Sequence, residues 1–139
     1  MHLTRHSDYS LRVLIFLALR PEKRANIAEI STVFNVSRNH MVKVVHQLSK
    51  FGYIETTRGQ GGGIELAKSA TDILVGQVIR QTENNLKVIN CHKPLCPIVP
   101  ACLLKGALNE ATEAFLNVLD SYTVADLAKN KNKLNKLLS

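Results

Sequence analysis

The sequence predicts a mainly α-helical protein that carries one small β-hairpin and a long helix toward its end. Apolar residues recur at helical spacing through most of the chain. Four of its seven glycines fall between residues 59 and 63, with a short strand-forming stretch on either side. Apolar residues make up 45% of the 139 positions, whereas aromatics reach only 5% and Trp is absent, so the core is expected to be aliphatic. The length suits one compact domain, or a small domain with a dimerisation appendage.

Ser7 to Arg20 reads as a helix that is apolar almost all round, hence buried, and Pro21 stops it. Asn26, with Glu29 three residues on, is an N-cap signature for a short helix over Ile27 to Phe34. Asn35-Val36-Ser37 is a turn, and Ser37 caps a third helix, Arg38 to Lys50, which Gly52 terminates. Tyr53 to Thr56 and Ile64 to Leu66 are the strand candidates. Val75 to Gln81 is a short helix. Asn84 to Pro100 contains prolines 94, 97 and 100 and reads as a loop. Ala101 to Leu119 is the longest periodic helix, with Leu104, Leu108, Ala111, Phe115 and Val118 along one face. Thr123 to Ala128 adds a turn, and the Lys- and Asn-rich tail from Lys129 is expected to fray.

Helix, turn, helix and then a glycine-tipped hairpin is the order of a winged helix-turn-helix DNA-binding domain. The third helix carries the division of faces that DNA reading requires. Met41, Val44, Val45, Leu48 and Phe51 share one side, while Asn39, Lys43, His46 and Lys50 share the other, with Arg38 and His40 flanking them at the N-terminal end. Arg and Asn suit guanine and adenine edges, and Lys43 and Lys50 suit phosphate. An ordinary amphipathic surface helix would share this pattern; the capped helix before it and the basic hairpin after it argue for the DNA reader. In the hairpin, Arg58 and Gln60 sit among glycines. Three consecutive glycines, including Gly61 and Gly62, exceed what a tight hairpin requires, which points to close approach to a sugar-phosphate chain. No Lys-Ser/Thr follows them, so a nucleotide phosphate loop is excluded. The expected division is a DNA-binding domain over residues 1–82, a loop over 83–100, and a dimerisation helix with its tail over 101–139.

A net charge of +7 favours an acidic partner such as nucleic acid, although both parts of the chain share the excess. Through residue 66 there are nine Lys and Arg against five acids; beyond it there are nine against six. No secretory signal is visible, and the apolar run Val13 to Leu19 is far short of the roughly 20 residues a membrane span needs, so a cytoplasmic setting is expected. No paired acids, nucleophile–base set or cofactor loop suggests an enzyme.

Cys91, Cys96 and Cys102 fall within twelve residues, on a loop stiffened by proline. An odd number of clustered cysteines in a reducing compartment speaks for a metal or redox site. Thiolates select iron–sulfur clusters, zinc or copper(I), and three of them leave one corner open. His92 is a local candidate for that corner, though a residue adjacent to a ligating Cys often points away. Structural zinc and three unrelated buried thiols are the alternatives; the gaps of four and five residues are poor zinc spacing.

Several stretches carry a resemblance: Leu3-Thr4, Asp8-Tyr9 and Leu11-Arg12 in the first helix, Val36 to Lys43, the wing Gly61 to Leu66, the three cysteines with Pro100-Ala101-Cys102, and Tyr122 to Leu127. Together they resemble the Rrf2 family of iron–sulfur winged-helix regulators, in particular its nitric-oxide-sensing repressors. The resemblance runs nearly end to end. It implies a homodimer built on the long helix that binds an inverted-repeat operator and represses genes for nitric oxide detoxification. It implies a cluster on Cys91, Cys96 and Cys102 that nitric oxide destroys by nitrosylation, with Asp8 of the partner subunit as the fourth ligand. Three cysteines with an open corner suit [4Fe–4S] better than [2Fe–2S]. By itself Asp8 also fits a structural role, favoured in the first turn of a helix and able to pair with Arg12 four residues on, which would hold it in place. A zinc- or thiol-redox-responsive regulator with the same DNA-binding half is the other reading.

Overall fold

The computed structural model describes residues 2–139. Seven helices and one hairpin follow in order: α1 (Arg5–Leu19), α2 (Ile27–Phe34), α3 (Arg38–Lys50), β1 (Ile54–Thr57), β2 (Gly63–Leu66), α4 (Val75–Thr82), α5 (Leu103–Asp120), α6 (Val124–Leu127) and α7 (Lys131–Leu138). The mainly helical architecture with one wing is the predicted fold class.

Caps explain the boundaries. The Asn26 side chain accepts the Glu29 backbone N–H at 2.8 Å, so α2 begins where expected. The first helix starts two residues earlier than the apolar pattern suggests, because Thr4 Oγ1 accepts the Ser7 N–H and makes Thr4 the cap. The first strand starts one residue later than expected, since the Tyr53 N–H still bonds to Leu48 O at 3.0 Å and belongs to the turn that ends α3. The long helix opens at Leu103 rather than Ala101, because Val99–Ala101 forms a single 3₁₀ turn and Cys102 takes the N-cap position.

The first helix is the hub of the fold. It touches α3, α4, α6, α7 and β2, and buries Val13, Leu14, Phe16, Leu17 and Leu19. Ile30 from α2, Met41, Val44 and Leu48 from α3, Ile54 and Ile64 from the hairpin, and Val78 from α4 complete the main core. Two serines lie inside this packing, and both are satisfied. The Ser7 hydroxyl bonds to that of Thr82 at 2.7 Å, and Ser10 donates to His6 O at 2.7 Å. A smaller cluster of Val75, Ile79 and Leu116 fastens α4 to α5. There a Cβ on Gly76 would overlap the Asp120 carboxylate, which pairs with Arg80 at 2.5 Å.

The tail corrects its expectation. Instead of fraying, it forms α7, whose Leu138 packs against the main core while Leu134, one turn earlier, is half-buried. Four-residue spacing of two leucines is enough to hold a short helix against a preformed surface.

The short α6 is closed by a reciprocal capping box. The Thr123 side chain accepts the Asp126 N–H at 3.1 Å, and Asp126 accepts the Thr123 N–H at 2.9 Å. That backbone bond, with help from the Lys129 ammonium at 2.9 Å, holds the Asp126 carboxyl down to about 2. A carboxylate depressed in the folded state stabilises above its ordinary value, and this contribution is lost as pH falls through the depressed one. The melting-temperature gap between wild type and Asp126→Asn is therefore expected to be constant above about pH 4 and to close as pH falls to about 2. A gap that persisted under acid would show that the box holds without its charge.

Candidate nucleic-acid interface and cysteine loop

The turn between α2 and α3 is made by Asn35 in the left-handed conformation, φ 52°, with the Val36 N–H donating to Ser31 O at 3.0 Å. Asn tolerates this region better than most residues. Ser37 Oγ then accepts the His40 N–H at 3.2 Å and launches α3. Met41, Val44, Val45 and Leu48 face the core, and Arg38, Asn39, Lys43, His46 and Lys50 are exposed on the other side. Among the described residues, Arg38, Lys43, Lys50 and Arg58 have no ion-pair partner, whereas Arg12, Arg20, Arg24 and Arg80 each have one. The free cations thus include those on the predicted reading surface.

Two features of this face escaped the sequence pattern. Val42 lies among the polar residues and is 45% exposed, the character of a side chain offered to a thymine methyl. Its position at the same 100° spacing as Asn39 and His46 was the available signal. His40, expected at the edge of the reading face, is half-buried between helices. Its ring meets the Tyr9 ring edge-on at 4.9 Å and stacks on His6 at 6.2 Å, and His6 in turn bonds to Gln47.

The hairpin pairs Ile54 with Leu66 through Thr57 with Gly63, leaving Arg58 and Gln60 exposed at its tip. Here the glycines have a conformational cause. The Gly62 N–H closes the turn on Gly59 O at 3.0 Å, and a Cβ at Gly62 would overlap the carbonyl oxygens of Thr57 and Gly59. Gly61 has φ 76°, where other residues are strained. The turn itself therefore requires these glycines, and their number is no separate argument for a sugar-phosphate chain.

The cysteine loop is built from short local bonds. Asn90 Oδ1 accepts the backbone N–H groups of His92 at 3.0 Å and Lys93 at 3.2 Å, and the Cys96 N–H donates back to Cys91 O at 3.0 Å. Cys102 closes the segment as the cap of α5. All three thiols are free; Cys91 is buried, and Cys96 and Cys102 are half-buried. His92 is exposed. A cleft of about 690 Å³ runs beside Cys91, between the loop and Lys105, Leu108 and Asn109 of α5. The donor set, three unpaired soft thiols on one loop, fits a thiolate-held group. Among the described residues, however, no three His, Cys, Asp or Glu side chains converge at ligand spacing within a single chain.

Asp8 lies in the first turn of α1 and receives a forked pair from Arg12, Nε to Oδ1 at 2.9 Å and Nη2 to Oδ2 at 2.8 Å. The Arg12 guanidinium lies 5.7 Å from the Tyr9 ring centroid and 5.9 Å from that of Phe34. Asp8, Arg12, Tyr9 and His40 form an unbroken line of contacts from the start of α1 to the start of α3.

The expected seam of α5 is uncovered. Leu104 is 61% and Val118 59% exposed, with Ala111 and Phe115 exposed between them and Leu108 half-buried. The opposite face of the helix seats Leu116 against α4. No helix among the described residues is long and apolar enough to cross a membrane.

Comparison with known proteins agrees with this geometry. Residues 3–130 match the sequence model of the Rrf2 family, described as iron-dependent transcriptional regulators. The chain is 50% identical to the HTH-type transcriptional regulator NsrR of Bacillus subtilis strain 168, with 99% of this chain and 97% of that protein covered. It is 49% identical, at the same coverage, to the NsrR regulator of Geobacillus kaustophilus strain HTA426. Its fold is similar to the crystal structure of CymR, the global cysteine regulator of B. subtilis, with a TM-score of 0.76 and 26% identity over 92% of this chain and 96% of that one. With a family match over nearly its whole length and relatives at half identity, the chain belongs to the Rrf2 family of transcriptional regulators.

Proposed function

We propose that this chain is a nitric-oxide-responsive repressor that reads an inverted-repeat DNA operator as a homodimer, releases it when nitric oxide is present, and performs no catalysis. The observation that carries this reading is the set of three free thiols on one short loop whose last member caps the uncovered helix α5. The similarity to NsrR regulators along the whole chain supports it. Cys91, Cys96 and Cys102 are the ligands of an iron–sulfur cluster, [4Fe–4S] rather than [2Fe–2S], with Asp8 of the partner subunit at the fourth corner. Since no acid joins the thiols within one chain, a fourth ligand from a second copy is consistent with the geometry. When bound, such a cluster supplies iron that nitric oxide attacks.

The chain's own residues do the rest. Arg12 holds the Asp8 carboxylate ionised and oriented. Its contact line through Tyr9 to His40 gives a shift of α1 a direct route to the N-terminal end of α3. There Arg38 and Asn39 read base edges, Val42 meets a methyl group, and Lys43, His46 and Lys50 hold phosphates. Arg58 and Gln60 reach the neighbouring minor groove from the wing tip. The apolar row of α5 sets the distance between two reading helices, and an inverted repeat demands that distance.

The test is a visible spectrum with iron and sulfide analysis on anaerobically purified protein, before and after nitric oxide. A brown chromophore with about four iron and four sulfide per chain, bleached by nitric oxide, is expected. Colourless protein that holds zinc, or that stays metal-free after reconstitution, would transfer the cysteines to zinc or thiol-redox sensing.

A further inference from the structure

We propose that Arg24, in the α1–α2 connection, is the positioning residue that aims the wing, and that it does so without touching DNA. This rests on the DNA-binding reading above. Arg24 donates from Nη1 to Gly61 O at 3.0 Å and from Nε to Glu65 Oε1 at 3.1 Å, and its Nη2 lies 3.0 Å from the same carboxylate oxygen. One guanidinium therefore grips both the turn of the wing and its returning strand. Only a planar fork can do this; a lysine ammonium offers a single point of charge.

The surroundings explain why a clamp is needed. The two-stranded hairpin has no sheet to lean on, and such a hairpin is marginal alone. Its base is tied to the body by Ala25, whose N–H donates to Ile64 O at 3.0 Å and whose carbonyl accepts the Ile64 N–H at 2.7 Å. Beyond that bridge, Glu55 stands opposite Glu65 in the register, a repulsive pair that Arg24 neutralises from one side. Arg24 is next to Ala25, so bridge and clamp together extend the anchorage from Ile64 toward the tip. With Gly61 held, Arg58 and Gln60 leave the turn in a fixed direction.

The experiment compares wild type, Arg24→Gln, Arg24→Lys and, as a control, Arg58→Gln. Amide exchange is measured on the free proteins. Binding is measured against salt on a duplex of about 30 base pairs, long enough for two half-sites, selected by the wild type from a randomised pool. Both Arg24 variants are expected to exchange the Gly62 amide faster than wild type. Both should bind about three- to tenfold more weakly, the range of a partly exposed ion pair with one added hydrogen bond. Their salt slope should stay that of wild type, whereas Arg58→Gln should lower it by about 0.9 if Arg58 meets a phosphate. Unchanged Gly62 exchange in Arg24→Gln would overturn the clamp. So would a slope lowered by about 0.9 in Arg24→Gln together with full binding by Arg24→Lys, since Arg24 would then be a phosphate contact. If the wild type selects no duplex, the DNA-binding reading fails instead, and the exchange arm still reports on the clamp.

Discussion

Cys96→Ala protein, purified without oxygen, is expected to be colourless, to lack stoichiometric iron, and to bind its operator about a thousandfold more weakly than wild type while remaining a dimer. The factor is the lower bound of the gap between specific and non-specific DNA binding. The Cys96 side chain touches nothing the fold depends on. Its residue takes part in the loop through its backbone N–H, bonded to Cys91 O, and that bond survives the substitution. Two thiolates and a carboxylate cannot replace three thiolates around iron that prefers sulfur. The apolar face of α5 lies on a separate element and is untouched. Iron analysis, sedimentation and operator titration on one preparation decide the matter. Full operator affinity in the iron-free variant would remove the cysteines from control of DNA binding.

The second large effect is expected from Leu104→Lys combined with Val118→Lys. In the single chain both side chains lie mostly in the open, so the substitutions cost the monomer little. Across a two-fold axis each residue meets the same surface of the other subunit, so every new charge is duplicated against its own kind in a desolvated seam. The double variant should sediment as a folded monomer. It should also lose at least about a hundredfold in operator binding, because a monomer reads one half-site and forfeits the linkage between two. A dimer that persisted in sedimentation would locate the subunit contact elsewhere.

Much of this was legible locally. Asn26 and Ser37 are strong caps next to clear apolar periods, and α2 and α3 begin where those residues place them. The cysteine spacing marked its loop because soft ligands at short intervals have few other uses. What could not be read depended on partners distant in sequence. Arg24 reaches residues 61 and 65, and His40 turns inward because Tyr9 and His6 receive it from α1. The wing glycines misled by their number, since counting residues does not reveal φ. In the tail, two leucines without a capping side chain gave too weak a periodic signal, and only the surface under Leu138 made them a helix.

The hub position of α1 also has a consequence for synthesis. This helix leaves the ribosome first, yet its surroundings include α6 and α7, the latter ending at residue 138. At bacterial elongation rates, its apolar surface stays incompletely covered for on the order of ten seconds after it emerges. The N-terminal segment cannot finish packing as it is made; completion awaits the C-terminal helices. During that interval the nascent chain exposes Val13 to Leu19, the most apolar run in the protein, to chaperones and to other nascent copies.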